Sequence, residues 1–249
     1  MAWPGLTWVV RRTAGRCCWQ AVAVPAQRPV QPPILEPDLL RVLGHELRSP
    51  LASLLGYAEL MSDEDEQADP PAVGRFVGAV ARNARRQLDL VEDVLLAVAL
   101  DTGALTPVAE ACSPMRALSL SLDALPPDVH VSALDLVEAP PVLADPALLA
   151  RCLGLLVRRA VACGTDAEIT WDWSVDGDLL LLRLHCAAEA ATDHEGFLRA
   201  TPRGSDGCAA GSGLEGALAL GLVSLLGGRL SADQGGGRLM AELRLPVAR

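Results

Sequence analysis

At 249 residues the chain is long enough for one large domain or two small ones. Hydrophobic residues make up 51% and charged residues 21%, which allows a packed core and excludes wholesale disorder. A formal charge of −10 and a pI near 4.8 argue against a nucleic-acid partner, which would call for a basic face.

Aromatics are only 3%, so Leu, Ala and Val must fill the core. Every basic residue is Arg, Lys is absent, and Asn83 is the sole asparagine. The seven cysteines (Cys17, Cys18, Cys112, Cys152, Cys163, Cys186 and Cys208) are odd in number and none pair at metal-ligand spacing. No metal is expected, and a reducing cytosol fits best. Met1–Val10 lacks the apolar region and cleavage site of a secretory signal, and no uninterrupted apolar run is long enough to cross a bilayer. The expectation is a soluble, cytoplasmic protein without a membrane span.

Residues 1–35 read as a leader or linker, or as the tail of a sensory domain. Trp8–Val10 and Trp19–Val24 read as two short strands around Thr13–Arg16, followed by an extended stretch through Pro25, Pro29, Pro32 and Pro33. From Pro37 the pattern turns helical, with Leu40, Leu43, Leu47, Leu51, Leu54, Ala58 and Met61 in one apolar stripe. The acidic run Ser62–Asp69 and Pro70-Pro71 end it as a solvated hairpin tip. A second helix over 72–101 repeats Val77, Ala84, Val91 and Val98 every seven residues. Its opposite face carries Arg82, Arg85, Arg86, Asp89, Glu92 and Asp93. One hairpin cannot bury both stripes, so two copies forming a homodimeric four-helix bundle are predicted.

After Gly103 short segments alternate: strand Val129–Leu136, helix Pro146–Cys163, strands Ala167–Val175 and Leu179–Cys186 joined by Asp176-Gly177, helix 214–226, and strand Arg238–Pro246. The fold class is therefore α+β, a helical hairpin followed by an α/β sandwich. Residues 36–103 make the first domain and 104–249 the second.

The informative motif is His45-Glu46-Leu47-Arg48-Ser49-Pro50-Leu51. His45 lies two residues from Leu43 and from Leu47, about 200° round the helix from each, and so points away from the stripe. Glu46 can hold the proton of one imidazole nitrogen while the other attacks. Ser49 stands one turn on, on the same face, and Pro50 removes a backbone donor just past the site. This heptapeptide resembles the phosphoacceptor box of bacterial sensor histidine kinases. Arg75–Ala104, with Asn83-Ala84-Arg85-Arg86 and Leu90-Val91-Glu92-Asp93-Val94-Leu95, is similar to that family's second dimerisation helix. The resemblance covers about Glu36 to Pro246. It implies that His45 is phosphorylated, that Glu46 assists transfer, that Ser49 positions water for dephosphorylation, and that a response-regulator receiver is the partner. For the second half it implies the sandwich shared with gyrase-type ATPases.

In that second half the family's nucleotide pattern fails at several places. The helix Leu148–Val161 carries Arg159 where the family has a Mg²⁺-ligating Asn, and a guanidinium has no lone pair to give a metal. Ala162 replaces the usual basic residue. The strand Leu179–Leu184 runs into His185-Cys186-Ala187-Ala188-Glu189-Ala190-Ala191 without the adenine-reading Asp or its glycines, though Glu189 or Asp193 is a conceivable substitute. Gly211-Ser212-Gly213-Leu214, with Gly227-Gly228 beyond, resembles the second glycine box and leaves a vestigial phosphate-binding helix start. Glu215 stands there in place of a glycine, and Phe197-Leu198-Arg199 resembles the phenylalanine box. His130, His185 and His194 read as structural, and Leu55 and Tyr57 as either a receiver-docking surface or core.

The leading function is a phosphorelay in which His45 exchanges a phosphoryl group with a receiver aspartate and no cofactor is bound. Mg-ATP belongs to the alternative, an active autokinase. A third reading is a non-catalytic dimeric adaptor.

Overall fold

The apolar periodicity and the proline breaks set the first long elements of the computed structural model. The structure describes residues 6–13, 16–23, 33–62, 70–122, 130–188, 194–200, 212–235 and 237–248, and the side chains of His45, Glu46, Ser49 and residues 6–23 lie outside that description. Met1–Pro32 and Pro33–Arg249 are separate units. In the first, β1 (Leu6–Thr13) pairs antiparallel with β2 (Arg16–Ala23), longer than the two predicted strands.

In the second unit α1 (Pro37–Ser62) and α2 (Pro70–Asp101) form the expected hairpin. The predicted acidic tip, Asp63–Glu66, lies outside the described residues. Tyr57 meets Phe76 with ring centroids 5.7 Å apart, which fixes the antiparallel register. Tyr57 is thus half-buried against α2, whereas Leu55 is 64% exposed. The seven-residue stripe also stays open, with Val77, Leu88, Val91, Leu95 and Val98 all exposed. At the open end, the amides of Ile34 and Leu35 donate to the two oxygens of Asp101, tying the entry of α1 to the exit of α2.

The following elements are β3 (Glu110–Cys112), α3 (Pro114–Leu122), β4 (His130–Ser132), β5 (Val142–Ala144) and α4 (Pro146–Cys163). Then come β6 (Gly164–Asp176), β7 (Leu179–Ala188), α5 (His194–Leu198), α6 (Glu215–Leu225), β8 (Arg229–Gly235) and β9 (Arg238–Pro246). Five strands form one sheet in the order β4-β6-β7-β9-β8, with β4 parallel to β6 and the other pairs antiparallel. β3 and β5 make a small separate ladder. The strand predicted at Val129–Leu136 is shorter, because Leu134–Glu138 turns into a 3₁₀ segment after β4. The Asp176-Gly177 turn is present, with Gly177 at φ +61°.

One face of the sheet is apolar: Ile169, Trp171, Leu180, Leu182, Leu184, Leu239, Ala241, Leu243 and Leu245 are buried with Leu149, Cys152, Leu153 and Leu156 of α4 and Leu218, Ala219 and Leu222 of α6. The other face is polar. There Arg183 donates to Asp172, Ser174 and Glu242, Arg244 donates to Glu242, and His185 pairs with Asp172 at 2.6 Å. His185 is therefore a satisfied structural residue, as predicted, and His130 is exposed. Burial raises the Cys152 thiol to about 12, so this cysteine serves as a core hydrophobe. Cys163 is disulfide-bonded, which the expectation of a reducing compartment does not anticipate, whereas Cys112, Cys152 and Cys186 are free thiols.

Asp145 caps α4 and also ties in the loop before β3. Its carboxylate accepts from Ala147 and Leu148 in the first turn and from Val108 across the fold. Desolvation works to raise its carboxyl pKa, but the three amides outweigh it and hold the group below the ordinary value of 3.8. A lowered folded pKa stabilises above that value and loses the contribution as pH falls through it. Asp145→Ala should therefore cost about 1 kcal/mol at neutral pH by urea denaturation. The gap from the parent should close below pH 3.8.

Candidate functional site

Two places carry the chemistry implied by the sequence. The first is α1. The backbone is helical from Pro37 to Ser62, straight through His45, Glu46, Ser49 and Pro50. Leu43 is 3% exposed and Leu47 half-buried, which fixes the inward side of the helix. Position 45 lies about 200° from both, and Arg48, one residue before Ser49, is exposed. The side chains of His45, Glu46 and Ser49 are themselves outside the described residues.

The second place is where α4, α5 and α6 converge. Arg159 on α4 is 1% exposed. Its Nε donates to the Phe197 carbonyl at 3.2 Å and a terminal nitrogen donates to the Gly196 carbonyl at 2.8 Å. The guanidinium carbon lies 5.7 Å from the centre of the Phe197 ring. A buried guanidinium needs such oxygens, because its desolvation is otherwise uncompensated. α5 is thereby drawn onto α4. It also presses on the start of α6: a Cβ built on Gly216 would lie 1.8 Å from the Phe197 carbonyl oxygen. Phe197, singled out in sequence only by a local motif, is the hub of this contact and is fully buried.

The glycine-bearing turn is engaged with the chain itself. Gly213 has φ +76°, a backbone conformation only glycine adopts without strain. The Ser212 amide donates to Oε1 of Glu215 at 2.5 Å, and the Leu214 amide donates to the Ser212 hydroxyl. Glu215 is 1% exposed, and its Oε2 has no hydrogen-bond partner among the described residues. A side-chain carboxylate thus sits where an α-helix start would otherwise offer its amides to an anion. Gly211, Glu189 and Asp193 lie outside the described residues. Ser212 and Gly213 lead into α6, whose Gly216 meets Phe197 of α5, and no cluster of three metal-ligating side chains exists among the described residues.

Sequence periodicity misplaced one residue. Asp93 falls on the charged face of α2, opposite the apolar stripe, yet it is completely buried. Its Oδ1 accepts from Arg158 at 2.7 Å and from Arg151 at 3.1 Å, and its Oδ2 accepts from the Ser212 hydroxyl at 2.8 Å. Burial works against the Arg158 charge, but Asp93 outweighs it and raises the guanidinium pKa. Removing one member of so buried a pair costs about 3–5 kcal/mol where the partner stays dry. Two arginines on α4 at i and i+7 are the only hint in the sequence, and they gain meaning once α4 lies beside α2.

Residues 38–103 match the His Kinase A (phospho-acceptor) domain family. Over 135 residues the chain is 36% identical to the probable sensor histidine kinase TcrY of Mycobacterium tuberculosis, a span covering 51% of this chain and 27% of that protein. Over 218 residues it is 27% identical to the sensor protein CreC of Escherichia coli, covering 72% of this chain and 43% of that one. The matched part of the chain therefore covers less than half the length of either relative. The fold is similar to the Acinetobacter baumannii histidine kinase AdeS, with a TM-score of 0.58, 16% identity, and coverage of 82% of this chain and 98% of that one. It is also similar to full-length ShkA, solved in complex with AMPPNP, with a TM-score of 0.57, 20% identity, and coverage of 86% and 46%. Residues 38–103 therefore carry a phosphoacceptor hairpin of the His Kinase A type, and the chain as a whole is similar to two-component sensor histidine kinases, in sequence over part of its length and in fold.

Proposed function

We propose that this chain is a phosphorelay component in which His45 exchanges a phosphoryl group with the aspartate of a response-regulator receiver, and that its C-terminal half no longer takes ATP. The observation that carries the second part is Arg159. At the position of the family's metal-ligating Asn it offers donors only, and its nitrogens are already given to the Phe197 and Gly196 carbonyls. Mg²⁺ would meet a positive charge there. Phosphate oxygens would meet Glu215, which has taken the Ser212 amide for itself.

The transfer needs no metal on this chain. A neutral imidazole nitrogen of His45 attacks phosphorus of the receiver's acyl phosphate as the bond to the aspartate oxygen breaks. The proton on the other nitrogen is held by Glu46, which stabilises the positive charge that develops on the ring. Ser49, one turn on, positions the phosphoryl group or a water. Residues 36–103 would carry this chemistry, and residues 104–249 would be retained as a structural successor to a nucleotide domain.

The exposed seven-residue stripe supports a homodimer. Val77, Leu88, Val91, Leu95 and Val98 lie open on one α2 face, and pairing two hairpins would close it. Leu88→Glu with Leu95→Glu should halve the mass measured by light scattering at micromolar concentration, while leaving the spectrum of the folded sheet unchanged.

Phosphoryl transfer is tested with two donors in parallel, labelled Mg-ATP and a chemically phosphorylated receiver, each with a His45→Ala control. Acid-labile label from the receiver alone is the expected result. Label from ATP means that the autokinase reading is right and that Arg159 is tolerated. No label from either, with a receiver competent toward another phosphoacceptor, leaves the dimeric adaptor. In calorimetry, Mg-ATP should give no saturable heat with the parent chain.

A further inference from the structure

We propose that Asp93 is a latch that fastens the C-terminal half onto the phosphoacceptor hairpin, so that the two move as one body in the resting protein. This goes beyond the relay reading and holds whether or not nucleotide binds.

The contact has an ionic and an apolar part. In the ionic part, one fully buried carboxylate on α2 takes Arg158 and Arg151 from α4 and the Ser212 hydroxyl from the glycine turn. These three donors come from two separate segments of the C-terminal half, so a single side chain gathers both. Glu92 adds only a 3.5 Å, half-exposed pair with Arg151, which solvent screens. In the apolar part, Gly221 of α6 leaves room for Leu100 and Ile34: a Cβ there would lie 3.0 Å from a Leu100 methyl and 3.4 Å from one of Ile34. Ala97, one turn from Asp93, is fully buried and Leu100 nearly so.

The latch lies close to the phosphoacceptor. From the Tyr57–Phe76 contact, twelve residues back along α1 and twelve on along α2 bring position 45 level with Leu88. Asp93 is five residues further, about 7.5 Å along the axis. The C-terminal half is thus held within about two helical turns of His45.

The geometry also says how the latch opens. Asp93 is 0% exposed, whereas the Arg158 and Arg151 side chains keep 25% and 36% of their surface. Once unpaired, both guanidinia can turn to water, so loss of the carboxylate charge releases the contact without stranding a charge in the core.

The test is hydrogen–deuterium exchange on the full chain, comparing Asp93→Asn, Arg158→Gln and Glu92→Gln with the parent. The first two should speed exchange at least tenfold in Val94–Leu100 and Ser212–Gly216, with β7 and β9 at parental rates. Glu92→Gln should change nothing, and small-angle scattering should show a larger radius for the first two. Parental exchange in both Asp93→Asn and Arg158→Gln overturns the proposal. So does uniform acceleration that includes β7 and β9, which would make Asp93 a general stability residue. If Asp93→Asn does not fold, Arg158→Gln decides alone, since its position is part-exposed.

Discussion

A guanidinium or carboxylate taken out of water must find its counterpart, and that constraint organises the whole junction between hairpin and sheet. Arg158 and Arg159 are neighbours on α4, so they point about 100° apart. The first reaches across to Asp93 on α2, and the second reaches to the carbonyls of α5. One turn of helix therefore sets both how the hairpin is held and how α5 is held. The apolar core beneath supplies most of the stability, but it is not directional. The charges decide which surfaces meet.

The same constraint ties Arg159, Glu215 and Ser212 into one set of internal contacts. An Arg at position 159 would be solvated if this region were open to water. Here it is buried, because α5 brings its carbonyls and the Phe197 ring over it. Glu215 would repel phosphate, yet it satisfies the amide of Ser212. Ser212 in turn supplies the third donor to Asp93. Each of these side chains thus makes a contact within the fold. Such coupled contacts are mutually supportive, and single substitutions such as Arg159→Asn would leave the two carbonyls without their donors.

The hairpin was legible because its signals are local. Stripes at three- and four-residue steps and two prolines after an acidic run require no knowledge of what lies across the core. α4, β7 and β9 were legible for the same reason, through continuous apolar runs. β3, β5 and β8 were missed because their strand character rests on pairing with distant segments. The short α5 was seen only as a phenylalanine motif, since five residues carry no helical period. His45, Glu46 and Ser49 stood out by spacing alone, while the clustering of Ser212 with Asp93 spans 119 positions and has no local signature.

By itself the sequence determined the helical hairpin, the phosphoacceptor motif on its first helix, the α+β class of the second half and the absence of a lone-pair donor at position 159. These follow from residue type and short-range periodicity. Only the tertiary structure decided that Asp93 is buried rather than solvated, that Arg159 is bonded to α5, and that Glu215 closes on the glycine turn. The physical reason is that a charged residue on an amphipathic helix reads as solvated until another element arrives to pair with it. Which element arrives is set by the packing of the entire domain.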